Sequence, residues 1–320
     1  MSSNPRDVAA RTGALLAWAA MLIALLSLAP AGQEGAGGAS VLRATTTQGA
    51  GYGAAATLAG PVTTGHVVEP VSTHPPDLAA NGYVEQEYFA SGTARAFRGT
   101  SLPSNGEWSI TPTTSAPYKT RILVRRPVDP ARFNGTVVVE WMNVTVAESA
   151  VDWDFLNPML IRDGYAYVGV SAQSVAVDGG RSLVGLPSGV GNGGGGLVGI
   201  EPARYGSLHH PGDQYALDIF AQIGNALRIP DQPALGGLHP RHIVAVGESQ
   251  SAANLTTFAD ALQPRTHTFD GIFIHSRFGS AASLSGALFG YHEDLRIRTD
   301  LKIPVFMLSL IHISEPTRPY

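Results

Sequence analysis

The stretch His242-Ile-Val-Ala-Val-Gly-Glu-Ser-Gln-Ser-Ala-Ala-Asn-Leu-Thr-Thr-Phe258 decides the fold. Its first part, His242–Val246, is an apolar, β-branched run of the kind found in strands covered on both faces. From Ser251 onward the pattern suits a helix, expected over Ser251–Leu262. Between them Gly247-Glu248-Ser249-Gln250-Ser251 leaves no length for a loop. A strand that enters a helix this abruptly needs small residues two before and two after its tip, because larger side chains would strike the neighbouring strand and helix. Gly247 and Ser251 meet that need. Ser251 departs from the second glycine of G-x-S-x-G but keeps a small side chain. The segment therefore reads as a nucleophile elbow with Ser249 as the nucleophile, and the helix start lets the Gln250 backbone N–H donate to a developing oxyanion. A serine-rich helix N-cap after an ordinary strand is the plainer alternative.

Outward from the elbow, strand-like runs alternate with helical patterns, the mark of a mostly parallel sheet flanked by helices. Strands are expected at Tyr83–Phe89, Thr120–Val124, Thr136–Trp141, Tyr165–Ser171, Gly271–Ile274 and Ile303–Met307, and a helix at Tyr215–Leu227. The run Thr136-Val-Val-Val-Glu-Trp-Met-Asn-Val144 is the earlier central strand whose following loop would supply a second oxyanion donor, from the backbone at Met142 or Asn143. Asn143 starting an ordinary turn is the competing reading. The stretch 172–212 reads as a lid or a set of active-site loops.

Composition narrows the function. The 320 residues carry a net charge of −4, only 14% are charged, and the only lysines are Lys119 and Lys302, so no basic surface for nucleic acid is expected. The absence of cysteine excludes disulfides, thiolate metal sites and a cysteine nucleophile. Residues 1–31, with Arg6 and Arg11 before the apolar run Gly13–Ala29 and a small-x-small site at Ala29-Pro30-Ala31, read as a secretory signal or, left uncleaved, an N-terminal membrane anchor. Either way the body is expected to be secreted or periplasmic. Residues 32–66, rich in Gly, Ala and Thr, read as a flexible linker, and 67–307 as the hydrolytic domain. The tail Leu308-Ser-Leu-Ile-His-Ile-Ser-Glu-Pro-Thr-Arg318 matches one reading frame of a transposon-end sequencing adapter. Residues 308–320 are therefore expected to be foreign, with Ser309, His312 and Glu315 carrying no functional weight and the native chain continuing beyond Met307.

Several runs together resemble the α/β-hydrolase domain family of often secreted bacterial proteins. They are Pro117-Tyr-Lys-Thr-Arg-Ile-Leu-Val-Arg-Arg-Pro127, Phe133-Asn-Gly-Thr-Val-Val-Val-Glu-Trp-Met-Asn143, Tyr165-Ala-Tyr-Val-Gly-Val-Ser-Ala-Gln173, Arg204-Tyr-Gly-Ser-Leu-His-His-Pro-Gly-Asp213 and Val246-Gly-Glu-Ser-Gln-Ser-Ala252. The resemblance runs from about residue 80 to Met307. It implies an α/β-hydrolase fold, here lacking its C-terminal strands, with Ser249 as nucleophile, an acid after the strand that ends at Met307 and a histidine later still.

The expected activity is hydrolysis of small-molecule carboxylic esters through an acyl-enzyme, without a cofactor and without a metal. A chain that stops before its triad acid and histidine is expected to be inactive itself. Of the visible histidines, His275 and His292 are the alternatives for a catalytic base, but both precede the expected acid strand and read rather as structural, and His209-His210 read as pocket-lining or, less simply, metal-binding. Glu140 and Glu248 are the remaining carboxylates near the site, Glu248 either facing the pocket or held by structural hydrogen bonds. The run Gly189–Gly196 contains G-x-G-x-x-G without the strand, helix and acidic residue of a dinucleotide site, so it reads as a loop. The rival function is a non-catalytic extracellular ligand-binding module on the same scaffold.

Overall fold

Runs of β-branched residues, apolar on both faces, set the middle of the sheet. The computed structural model describes residues 53–72, 75–180, 195–277, 281–287 and 295–308. The expected leader and the adapter-like tail after Leu308 lie outside the described residues. The strands β1 (Thr57–Ala59), β2 (Tyr83–Ser101), β3 (Ser109–Pro127), β4 (Thr136–Trp141), β5 (Ala166–Val170), β6 (His242–Glu248), β7 (Gly271–His275) and β8 (Val305–Leu308) form one sheet. Their spatial order is β1-β2-β3-β5-β4-β6-β7-β8. The pairings among β1, β2, β3 and β5 are antiparallel, and those from β5 through β4, β6 and β7 to β8 are parallel. This is the α/β-hydrolase fold, with a mostly parallel sheet flanked by helices.

Each central strand feeds two cores. Val137, Val139, Val168, Ala245 and Ile274 pack with Phe220 of helix α2 (Ala216–Ala226) and Leu255 of helix α3 (Gln250–Thr257). Rings extend that core, with Trp141 5.0 Å from Phe220 and Phe220 5.2 Å from Phe269. On the other face Val138, Tyr167 and Val246 pack with Trp153 and Leu160 of helix α1 (Val151–Arg162). Each fully buried aliphatic or aromatic side chain contributes about 1.5–3 kcal/mol, so the two cores dominate the fold's stability.

Three expectations change. The linker reading of 32–66 fails at its end: Thr57–Ala59 pairs with β2, Ala56 is buried, and the Arg204 guanidinium holds the carbonyls of Val62 and Thr64 at 2.8 and 2.6 Å. The sheet edge and a buried cation order this segment, whose composition alone shows no apolar period. Second, β2 and β3 form a hairpin far longer than the two short runs expected, paired from Tyr83↔Pro127 to Ser101↔Ser109. Gly92, Gly99, Pro112 and Pro117 resemble breakers, but the pairing absorbs them with register shifts between Arg95 and Phe97 and between Gly99 and Ser101. Third, α1 had no counterpart in the sequence pattern. The helix α3 runs into a π-helical turn at Phe258–Leu262 within the span expected for one helix.

The parallel strands all point their C-terminal ends at one edge. There the loop after β4, the loop after β5, the β6–α3 turn and the end of β7 converge, in the crevice where such sheets hold their sites.

Candidate active site

The turn between β6 and α3 has the backbone of an elbow. Ser249 sits at φ 56° and ψ −112°, a positive φ that costs a non-glycine residue about 1–3 kcal/mol and persists only where its surroundings enforce it. Two contacts enforce it. The Ser249 N–H donates to the His275 carbonyl at 2.9 Å, tying the tip to β7, and the Ser249 carbonyl accepts from Ala253 N–H at 3.2 Å inside α3. A Cβ on Gly247 would lie 3.0 Å from the Ser251 Cβ and 3.1 Å from Leu255, so both elbow positions need the small residues that the sequence places there. Ser249 itself is buried.

Gln250 opens α3, where the first turn's amides have no intrahelical partner, and its N–H has no acceptor among the described residues. Its side chain is fixed by a polar chain. Gln250 Nε2 donates to Gln173 Oε1 at 2.7 Å, which also accepts from the Trp141 indole at 3.1 Å. Asp213 then accepts from Gln173 Nε2 and from both the amide and the hydroxyl of Ser174. Part of the 172–212 stretch thus builds the wall beside the elbow.

The loop after β4 departs from the expected donor assignment. Met142 N–H donates to the Val170 carbonyl at 3.2 Å, extending the β4–β5 ladder by one rung, and Asn143 N–H donates to the Ser149 carbonyl at 2.9 Å across the loop. Both amides are therefore occupied. The first amide of the loop with no acceptor among the described residues is that of Val144. The Asn143 side chain has a different part: Nδ2 donates to the Glu248 carbonyl at 3.0 Å and to Glu248 Oε2 at 3.3 Å, while Oδ1 accepts from Thr145 N–H at 2.8 Å. Asn143 clamps the loop to the elbow. The loop's far end is held by an ion pair between Glu148 and the fully buried Arg121.

Beside the elbow lies a group of acids. Glu140 caps α1 from outside the helix, accepting from Asp152 N–H at 3.0 Å, from Trp153 N–H at 2.9 Å and from the Tyr167 hydroxyl at 2.9 Å. Burial, reinforced by Asp152, pushes its carboxyl well above the ordinary range. Asp152 Oδ1 stands 2.9 Å from His275 Nδ1. Burial opposes the charge on that imidazole, yet the hydrogen bond and charge of Asp152 outweigh it and hold the ring's pKa above its usual value. The His275 ring stacks on Phe273, with centroids 5.7 Å apart. Glu248, at the position before the nucleophile, is pushed up to about 8, chiefly by burial and then by Asp152.

His275 is thus a partnered histidine, hydrogen-bonded through Nδ1 to Asp152. The partner, Asp152, was missed, because it lies 123 positions away and starts a helix that the sequence does not announce. His210 is buried with both ring nitrogens engaged, Nε2 with the Ala172 carbonyl at 3.0 Å and Nδ1 with Gly212 N–H at 3.2 Å, and burial lowers its pKa. Its partners are its own backbone surroundings, which leaves no ring nitrogen for a metal. Of the glycine run 189–196 only Gly195 and Gly196 are described, at the start of a short helix Gly196–Ile200. His292 lies outside the described residues.

The alpha/beta hydrolase domain model matches residues 58–309. Among curated proteins none matches. Among solved structures, brefeldin A esterase, a bacterial homologue of human hormone-sensitive lipase, is 14% identical with a TM-score of 0.31, covering 59% of this chain and 41% of its own. A carbohydrate esterase family 15 glucuronoyl esterase from Caldicellulosiruptor kristjansonii is 11% identical with a TM-score of 0.29, covering 64% of this chain and 46% of its own. The chain spans less than half the length of either, and at these scores neither likeness speaks to activity.

Proposed function

We propose that this chain, which belongs to the alpha/beta hydrolase domain family, is built as a serine hydrolase that cleaves small-molecule carboxylic esters through an acyl-enzyme on Ser249. The observation that carries the reading is the Ser249 backbone at φ 56° and ψ −112° between β6 and α3, beside a Gln250 N–H without an acceptor among the described residues. A serine held in a strained turn at a helix start is a costly arrangement for a mere cap. In the reaction Ser249 Oγ attacks the ester carbonyl carbon and loses its proton to a base, the alcohol leaves with that proton, and water then releases the acid. Gln250 N–H and an amide of the loop after β4 face the developing oxyanion. Val144 takes the place first assigned to Met142 and Asn143, whose amides are spent on structure.

In this reading the triad acid and histidine come from chain beyond Met307, so residues 1–307 alone turn over little ester. The protein works outside the cytoplasm, behind the leader-like residues 1–31. No helix among the described residues is long and apolar enough to cross a membrane. The test is a fluorophosphonate probe on the full-length protein beside Ser249→Ala. Labelling that disappears in the variant supports an activated serine, and a folded wild type that takes no label returns the scaffold to ligand binding.

A further inference from the structure

Glu248 occupies a position that the mechanism above does not use. Its carboxyl group receives Asn143 Nδ2 from the loop after β4 at 3.3 Å. Its own carbonyl receives the same Asn143 amide. In the β6–β7 register it stands opposite His275, whose carbonyl accepts the Ser249 N–H. One residue, a position before the nucleophile, therefore meets the loop after β4 through its side chain and the end of β7 through the strand ladder.

We propose that Glu248 is a positioning residue for Ser249, joining the loop after β4 to the end of β7 so that the elbow and the oxyanion donors keep a fixed relation. The inference rests on the serine-hydrolase reading of this site. The charges around Glu248 decide the form in which it acts. Asp152 faces it from α1 and His275 from β7. Glu140 of β4 stands behind Asp152, and Tyr167 with Arg125 stands beyond Glu140. Asp152 takes the His275 Nδ1, and the imidazole's charge lowers the Glu248 pKa by less than burial and Asp152 raise it. Burial and the neighbouring acid keep it protonated up to about pH 8. The neutral form suits the place. A carboxylate next to the nucleophile would repel the negative charge that develops on the substrate carbonyl oxygen, in a buried setting where charges interact strongly.

The experiment follows p-nitrophenyl acetate hydrolysis by the full-length protein from pH 6 to 9.5, with wild type, Glu248→Gln and Glu248→Ala, and fluorophosphonate labelling at pH 7. Expected for wild type is a kcat that falls above about pH 8. Glu248→Gln keeps an uncharged side chain of the same shape; it turns over more slowly at neutral pH, but its kcat no longer falls in that range. Glu248→Ala removes the tie and loses about tenfold or more in kcat with KM changed less than about twofold. Glu248→Gln carries the test by itself if the alanine variant fails to fold. A falling limb that persists unchanged in Glu248→Gln overturns the proposal, as does a folded Glu248→Ala with wild-type kcat. A wild type that neither labels nor hydrolyses overturns the serine-hydrolase reading and this inference with it, whereas labelling with an unshifted glutamine profile overturns this inference alone.

Discussion

Two buried polar clusters flank the sheet, and their charges are balanced differently. At the β2–β3 side Glu87 meets Arg121 at 3.0 Å, Arg204 at 2.5 Å and the Tyr205 hydroxyl at 2.8 Å, while Arg121 also pairs with Glu148. Two carboxylates face two guanidinium groups. At the elbow Asp152 and Glu248 face the His275 imidazole, and a third acid, Glu140, stands behind Asp152. The matched cluster pins residues 62–68 and the loop after β4 to the sheet. In the unmatched one burial raises all three carboxyls, and Glu248 keeps its proton at neutral pH. The contrast teaches that matched charge is spent on holding the scaffold, while an excess of acid sits where protonation can bear on chemistry.

The largest effect expected from breaking this contrast is at Arg121. Replacing it by leucine leaves Glu87 without one partner and Glu148 with none of its ion-pair partners, at a cost of about 3–5 kcal/mol of stability. Urea unfolding measures it, and a loss below about 1 kcal/mol would mean that the matched cluster is not holding the scaffold.

The acid-rich side gives the next effect through pH. The unfolded Glu248 carboxyl titrates near 4.5 and the folded one at about 8, so between those values the folded state retains a proton that the unfolded state releases. The stability tied to that proton is complete below pH 4.5 and is lost as pH rises toward 8. Asp260, in the π-helical turn, repeats the behaviour from 3.8 to about 7, again chiefly through burial. Tm measured from pH 5 to 8 is therefore expected to fall, and the Glu248→Gln, Asp260→Asn double variant to flatten the slope. An identical slope in the double variant would remove both groups as its source.

The smallest effect sharpens the comparison within the acidic cluster. Asp152→Asn removes the charge that lifts His275, so its imidazole pKa, followed by NMR, drops toward or below 6.5. In wild type the stability contributed by the lifted histidine is full below 6.5 and fades as pH passes through the raised value, and in the variant that contribution is lost.

The legibility of the sequence follows the same division. The strands β4, β6 and β7 were readable because both faces are apolar, and the elbow because steric crowding dictates residue size at Gly247 and Ser251. The helix α1 was not. Its N-cap residue, Ala150, offers no side-chain cap, it contains Pro158, and its first amides are capped by Glu140 on β4. No local pattern records a cap supplied from a strand. The hairpin β2–β3 was read only at its apolar half, since its far half is largely exposed and punctuated by Gly and Pro. The occupied amides of Met142 and Asn143 were hidden for a different reason: side-chain identity does not say which main-chain N–H a neighbouring strand will take. The Asp152–His275 pair joins distant segments, and only the folded sheet brings it together.

The measurement that tests the central claim most directly is fluorophosphonate labelling of the full-length protein with the modified peptide mapped by mass spectrometry. A single adduct is expected on Ser249, absent from a folded Ser249→Ala variant. An adduct on another serine, or no adduct on a folded wild type, would contradict it.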